Sequence, residues 1–200
     1  MVKLYFAPRT RSIRVRWLLE ELGLPYQLEG VTFQRPDRVF SQTTPLGKLP
    51  VIEDGEVTIC ESGAIVEYIL ERYGEGRLAP PIGSSQRGEF LQWIHFAEGT
   101  AFPPLGVLIW HGLYQGDADK YPEVMESARE RARAGLGFAE QRLRDRPYLL
   151  GEEFSAADIM LGFTLIAARL LGVLDARFPA LGRYLERLEA RPAFQAAVEM

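Results

Sequence analysis

The first 75 residues alternate between short apolar runs and amphipathic segments. Residues 2–6 (VKLYF) form an apolar run that predicts a strand. Apolar side chains then recur at helical spacing from Ser12 to Gly23, a residue type that commonly ends helices. PYQLEGV, which follows, predicts a second strand. Because strand–helix–strand connections within one sheet are right-handed, we expect these two strands to be parallel neighbours.

A hairpin and a further helix complete this first pattern. LPVIED and EVTIC flank Asp54-Gly55, a dipeptide that strongly favours a tight turn between antiparallel strands. From Ser62, apolar side chains recur four residues apart until Gly74 ends the predicted helix. The polar stretch from residue 32 to residue 47 shows no pattern that predicts an element.

The composition changes at residues 76–84, where glycine and proline are dense. Such a segment favours neither helix nor strand, so we expect it to link two domains, residues 1–75 and residues 85–200. No strand signal follows the linker. The expected fold class is therefore α/β plus all-α, with a small α/β domain followed by an all-helical one.

Helical patterns occupy the second half of the chain. One helix begins near Phe90 and should be ended or kinked by the proline pair at 103–104, because proline lacks the amide hydrogen. Another is expected at about residues 122–144. SAADIMLGFTLIAARLLGVL is apolar nearly all round, which is typical of a buried central helix. At its start, Ser155 and Asp158 have the spacing of a capping pair.

Composition and charge narrow the classes of function. Of 200 residues, 47% are hydrophobic and 25% are charged, which is ordinary for a soluble globular protein. The net charge of -4 and the lack of a lysine–arginine tract argue against nucleic acid as a partner. No uninterrupted apolar run reaches the roughly 20 residues of a membrane span. Cys60 is the only cysteine and neither histidine is near it in sequence, so we expect a metal-free cytoplasmic protein.

The stretch GKLPVIEDGEVTICES carries groups suited to an extended peptide. Pro50 cannot donate to a strand ladder, which leaves the backbone of Leu49 available to a ligand that docks as an added strand. Glu61 and Ser62 come at the start of a helix, where amide groups and the helix dipole attract a carboxylate. Ser62 suits that carboxylate and Glu61 suits an amino group. In the structural alternative, Ser62 is only an N-cap and Glu61 a favourable first-turn acid.

A second candidate site is the loop before the first helix, which carries Thr10, Arg11 and Ser12. A hydroxyl there can donate to a thiolate. A hydrogen bond to a charged acceptor contributes about 1.5–3 kcal/mol, and the helix dipole adds about 0.3–1 kcal/mol. Together they reach the roughly 2.7 kcal/mol needed to lower a thiol pKa by about two units. The structural alternative is that Ser12 only caps the helix.

Taken together, these segments resemble the cytosolic glutathione S-transferases of bacterial type. The likeness rests on RSIRVRWLLEELGLPY, TPLGKLPVIEDGEVTICESGAIVEYI, LQWIHFAEGTAFPPL and LLGEEFSAADIML, and it covers essentially the whole chain. It implies a thioredoxin-like N-terminal domain, an all-helical C-terminal domain and usually a homodimer. It also implies a detoxifying transferase with glutathione as co-substrate, whose thiolate attacks a small, apolar electrophile.

Carried over by position, the resemblance implies a role for each residue of the first candidate site. Leu49, joined to Pro50 by a cis bond, would pair with the cysteinyl backbone of glutathione. Glu61 and Ser62 would hold the γ-glutamyl end. Lys48 would lie near the glycyl carboxylate or at the rim of the site, and Arg11 is the sixth residue expected to bind glutathione.

The residue that activates the thiol stays open, because its register varies among classes of the family. The matching position is Arg9, Thr10, Arg11 or Ser12. Ser12 is favoured and Thr10 comes second, with a backbone amide or the charge of Arg11 as the other choices. Tyr5, which matches the activating tyrosine of other classes, is interpreted as a packing residue.

Two other functions compete with the transferase. A glutathione-dependent disulfide reductase or peroxidase would use the same thiolate, but the loop before the first helix has no cysteine. A non-catalytic binding protein would keep the fold without the chemistry. The intact Leu-Pro and Glu-Ser pairs argue against that alternative.

Overall fold

The structure, a computed structural model, describes residues 1–31, 44 and 46–199. The chain divides into two compact units, Met1–Ala79 with Glu189–Met200, and Pro80–Leu188. Most of the polar stretch for which the sequence predicts no element lies outside the described residues. Among the described residues, no helix is both long enough and apolar enough to cross a membrane.

The first unit is built on a mixed sheet. Its elements are β1 (Val2–Phe6), α1 (Ser12–Leu22), β2 (Tyr26–Gly30), β3 (Val51–Asp54), β4 (Val57–Cys60), α2 (Ser62–Tyr73) and, from the end of the chain, α8 (Pro192–Val198). The strand order is β2–β1–β3–β4. β1 pairs in parallel with β2 and antiparallel with β3, and β3 and β4 form an antiparallel hairpin. The predicted thioredoxin-like fold is confirmed.

Local sequence signals account for these elements. The apolar positions that predicted α1 are all buried: Val15, Leu18, Leu19 and Leu22. Gly23 ends α1 with a φ of 63°, the left-handed conformation that glycine adopts without steric penalty. Gly55 has a φ of 64° in the turn between β3 and β4, as a tight hairpin requires.

The C-terminal helix α8 packs against α1. The rings of Trp17 and Phe194 meet edge to face, with their centroids 4.9 Å apart. The guanidinium of Arg191 donates to both carboxylate oxygens of Glu21, at 2.6 and 2.8 Å. The indole nitrogen of Trp17 also donates to Glu21, at 2.9 Å. Because the Glu21 side chain is only 9% exposed, this ion pair ties the end of the chain firmly to α1.

The second unit is helical. Its α-helices are α3 (Arg87–Phe96), α4 (Phe102–Ile109), α5 (Pro122–Leu143), α6 (Ala156–Leu170) and α7 (Pro179–Glu189). Two π-helical turns, Ala97–Ala101 and Trp110–Gln115, flank α4, and a short 3-10 turn, Ala118–Lys120, follows. In this part of the described chain the only β-type pairing is the isolated bridge between Tyr148 and Gly151. The predicted all-helical second half is confirmed.

The proline pair at 103–104 does not end the helix that precedes it, and the irregular turn in this helical path does not fall on the prolines. The helical path continues from α3 through the π-helical turn Ala97–Ala101 into α4. The prolines lie in the first turn of α4. Residues in the first turn of a helix need no amide hydrogen for the helical hydrogen bonds, so proline is tolerated there. The irregular turn therefore comes just before the prolines.

Helix α6 forms the centre of the second unit, and every residue in 156–165 is buried. The predicted capping pair is present, because the carboxylate of Asp158 accepts the backbone N–H of Ser155 at 2.8 Å. The same carboxylate accepts the N–H of Leu149 at 2.9 Å and the hydroxyl of Tyr184 at 2.8 Å. These contacts make Asp158 a structural residue.

The ion pair between α1 and α8 gives a first testable prediction. Arg191→Met should lower the free energy of unfolding by about 2 kcal/mol, because it leaves a largely buried carboxylate without its charged partner. Urea denaturation followed by circular dichroism measures the loss. Arg177→Met is the matched control: Arg177 also binds a carboxylate, that of Asp175, but its side chain is 55% exposed. The control should lose much less stability, and equal losses would contradict the importance of burial.

Candidate functional site

One cleft of the first unit gathers residues from three separate segments of sequence. It encloses about 220 Å³ and is lined by Arg11, Leu46, Lys48, Leu49, Pro50, Cys60, Glu61 and Ser62. All six residues expected to bind glutathione are among them. The two expected activating residues, Thr10 and Ser12, flank Arg11 in the sequence and do not line the cleft.

A larger groove lies in the second unit, but fewer polar and charged side chains line it. It encloses about 950 Å³ and is lined mainly by apolar and small residues, including Phe96, Pro104 and Phe138. Arg131 is the one charged residue among those that line it. A site that binds a charged ligand and acts on it needs several polar groups that converge, so the smaller cleft is the candidate.

The backbone at Leu49 offers an edge to an extended ligand. The Leu49–Pro50 bond is cis, as the resemblance implies. The pairing of β1 with β3 ends at Tyr5 and Val51, so Leu49 lies just beyond the ladder. Among the residues that the structure describes, the backbone of Leu49 pairs with no other backbone group. Its side chain packs in a small buried cluster with Ala7.

The start of α2 forms the opposite side of the cleft. Glu61 precedes the helix with a φ of 70°, a conformation that a residue with a side chain rarely adopts and that is typical of functional positions. Ser62 is the first helical residue and is only 1% exposed. Its hydroxyl oxygen accepts a hydrogen bond from Nη1 of Arg14 at 3.0 Å. Glu61, not Ser62, occupies the cap position, and its side chain makes no capping bond.

Thr10 and Ser12 form a hydrogen-bonded hydroxyl pair at the start of α1, with 2.6 Å between their oxygens. The carbonyl oxygen of Ala7 lies 2.7 Å from the Thr10 hydroxyl and 3.1 Å from the Ser12 hydroxyl. Two hydroxyl protons can serve only two of these three contacts at once. Ser12 is fully buried, whereas Thr10 is partly exposed. Arg11, not Ser12, occupies the cap position of α1, and its side chain makes no capping bond.

The hydroxyl of Tyr5 is hydrogen-bonded to side chains of β1 and β3. Its hydroxyl donates to Glu53 at 2.8 Å and accepts from Lys3 at 2.9 Å. Its ring belongs to the same buried cluster as Leu49. These contacts agree with the interpretation of Tyr5 as a packing residue.

The sequence analysis missed two residues that shape this site. Arg14 is fully buried and reaches Ser62; the available signal was a charged residue four positions before Leu18, on the core-facing side of α1. Cys60, to which the sequence analysis gives no part in the site, is partly exposed and lines the cleft. Burial, followed by the negative charge of Glu61, raises the pKa of the Cys60 thiol. No group of metal-ligating side chains occurs among the described residues.

The raised pKa of Cys60 gives a second prediction. Its alkylation by iodoacetamide should reach half its maximal rate at a higher pH than alkylation of free cysteine, because burial and Glu61 both disfavour the thiolate. Intact mass follows the reaction, since Cys60 is the only cysteine. Glu61→Gln should lower the midpoint, whereas Glu56→Gln, an exposed acid of the same hairpin, should leave it unchanged. A wild-type midpoint at or below that of free cysteine would refute the assignment.

Comparison with known proteins agrees with this geometry. The models of the glutathione S-transferase N-terminal and C-terminal domains match residues 4–77 and 122–187. Glutathione S-transferase 1 of Triticum aestivum is 30% identical over 97% of this chain and 92% of its own length. Disulfide-bond oxidoreductase YfcG of Escherichia coli is 31% identical over 96% of this chain and 92% of its own length.

A solved structure extends the likeness to three dimensions. A glutathione transferase family member from Pseudomonas fluorescens, described with two glutathione bound, superposes with a TM-score of 0.86 at 28% identity, over 99% of this chain and 92% of that one. With both domain models matched in order, and with relatives aligned along nearly the whole chain, this protein belongs to the glutathione S-transferase family of enzymes.

Proposed function

We propose that this protein binds glutathione in the cleft of the first unit and transfers it to a small, apolar electrophile. The observation that carries the proposal is that one cleft unites the backbone edge at Leu49, the acid Glu61 and the helix start at Ser62 with two cations. A transferase needs these groups together, because it must hold both ends of the tripeptide while the sulfur stays accessible.

The charges of the cleft complement those of glutathione, which carries two carboxylates and one ammonium group at neutral pH. The N–H groups at the start of α2, together with Ser62, suit the γ-glutamyl carboxylate. Glu61 suits the neighbouring ammonium group. Lys48 and Arg11, both at the cleft, suit the glycyl carboxylate. Pairing with the backbone of Leu49 then fixes the cysteinyl residue between the two ends.

We assign activation of the sulfur to Thr10, with Ser12 in support. Ser12 is fully buried and does not line the cleft, but its hydroxyl can donate to the oxygen of Thr10 at 2.6 Å. With Ser12 donating to it, Thr10 directs its own proton to the carbonyl oxygen of Ala7, 2.7 Å away, and exchanges that bond for one to the thiolate when glutathione binds. Because Ala7 bonds to both hydroxyls and packs beside Leu49, the pair stands next to the expected position of the cysteinyl residue.

The likeness to YfcG supports a second candidate, a glutathione-dependent disulfide reductase. That reaction begins with the same thiolate, which attacks a disulfide sulfur instead of an electrophilic carbon. The homodimer and the cytoplasmic location implied by the resemblance stay predictions, and light scattering and cell fractionation test them.

Calorimetry and product analysis test the proposed function directly. Glutathione should bind to wild-type protein, and turnover with an aromatic halide should release a thioether and a halide ion. If disulfide reduction is the only turnover observed, the second candidate replaces the first. If no binding is observed at millimolar glutathione, both are refuted.

Substitution of the hydroxyl pair tests the assignment of Thr10. Thr10→Val should raise the pKa of the bound glutathione thiol by about one to two units, because it removes a hydrogen bond to a charged acceptor worth about 1.5–3 kcal/mol. Ultraviolet absorbance of the thiolate measured against pH gives this value. Ser12→Ala should produce a smaller rise through the loss of support for Thr10. Thr58→Val, at an exposed threonine of β4, is the control. A larger effect of Ser12→Ala than of Thr10→Val would reverse the assignment.

A further inference from the structure

Arg14 is a charged side chain with no exposed surface. It lies in the first turn of α1, and its relative exposure is 0%. Arginine is rarely buried completely unless its charge is paired or fully hydrogen-bonded, because removal of a cation from water is expensive. A buried arginine that served only to join two helices would be a costly choice, since apolar packing achieves the same contact. This suggests that the charge itself has a use.

One contact of Arg14 limits the direction of a hydroxyl group in the cleft. Its Nη1 donates to Oγ of Ser62 at 3.0 Å. A guanidinium group has donors only, so Ser62 must be the acceptor in this contact, and the proton of Ser62 cannot point towards Arg14. Ser62 lines the cleft whereas Arg14 does not, so Arg14 stands behind Ser62 as seen from the cleft. The hydroxyl lies between a buried cation and the space at the start of α2.

We propose that Arg14 is a positioning residue that sets the preference of the cleft for a carboxylate at the start of α2. The inference rests on the proposed function, in which the γ-glutamyl carboxylate occupies this place. Arg14 acts in two ways. It holds Ser62 as an acceptor so that the serine proton is directed to the carboxylate, and its positive charge adds to the partial charge of the helix end.

This role differs from that of a structural tie in one measurable respect. A tie between α1 and α2 would affect every ligand of the cleft equally, because loss of the tie disturbs the whole site. A positioning residue for the carboxylate affects only ligands that carry the carboxylate. The decisive quantity is therefore the ratio of two affinities in the same variant.

The experiment compares glutathione with γ-aminobutyryl-cysteinyl-glycine, a decarboxylated probe that keeps the amino group and lacks only the γ-glutamyl carboxylate. Calorimetry gives the affinity of wild type and of each variant for glutathione and for the decarboxylated probe. The variants are Arg14→Met, Arg14→Lys and Ser62→Ala. Arg16→Met is the matched control, because Arg16 lies on the same helix but donates to Tyr26.

Wild type should prefer glutathione to the decarboxylated probe. Arg14→Met should reduce that preference by about 10- to 100-fold, the range expected for a hydrogen-bond partner of a charged group, and should leave the affinity for the probe nearly unchanged. Arg14→Lys should recover part of the preference, because it keeps the charge but not the planar donor geometry. The double variant with Ser62→Ala should lose less than the sum of the two single losses, because the two residues act as a unit.

Several outcomes would overturn the inference. If Arg14→Met weakens both ligands by the same factor, Arg14 is a structural tie and the inference is wrong. If Arg14→Met does not fold, Arg14→Lys decides by the same ratio: a lowered preference supports the inference, and equal weakening refutes it. A wild-type protein that binds neither ligand refutes the proposed function itself, and that result is distinct from binding without a preference, which refutes only the role of Arg14.

Discussion

Helix α1 determines where the candidate site forms, and charged side chains hold it near both of its ends. Near its start, the buried guanidinium of Arg14 donates to Ser62 at the beginning of α2. Near its end, the carboxylate of Glu21 is bound by Arg191, which precedes α8. A buried charge tolerates little displacement from its partners, because each lost hydrogen bond exposes the full desolvation penalty. The loop of Thr10 and the start of α2 therefore keep a fixed relation to each other.

The parts of this protein that the sequence predicts are those that depend on neighbouring residues. Helical spacing identifies α1, and the apolar run after Ser155 identifies the buried helix α6 together with its cap at Asp158. The turn at Gly55 follows from the need for a positive φ in a tight hairpin. The residues of the cleft are also predictable, because the Leu-Pro pair stands just before β3 and the Glu-Ser pair at the start of α2.

Features that depend on contacts between residues far apart in the sequence could not be predicted from the sequence pattern. The bond from Arg191 to Glu21 joins residues 170 positions apart, and nothing local to either residue indicates it. The direction of a hydroxyl is equally hidden, because it depends on how the loop places Thr10 and Ser12 against the carbonyl oxygen of Ala7. Sequence reasoning favoured Ser12 for its place at the helix start, whereas the structure buries it completely. Burial, which spacing cannot give, moves our proposal to Thr10.

The chemistry of the cleft points to the ligand as the source of the reactive sulfur. A hydroxyl pair can stabilise a thiolate but cannot form a mixed disulfide with it, so the loop before α1 offers no covalent intermediate. The one cysteine of the chain, Cys60, has a raised pKa and is therefore mostly protonated at neutral pH, which makes it a poor nucleophile. In the proposed function, the thiolate of glutathione bound next to Thr10 is then the strongest nucleophile available. Whether it attacks carbon or sulfur depends on the second substrate, and both reactions require the same activated tripeptide.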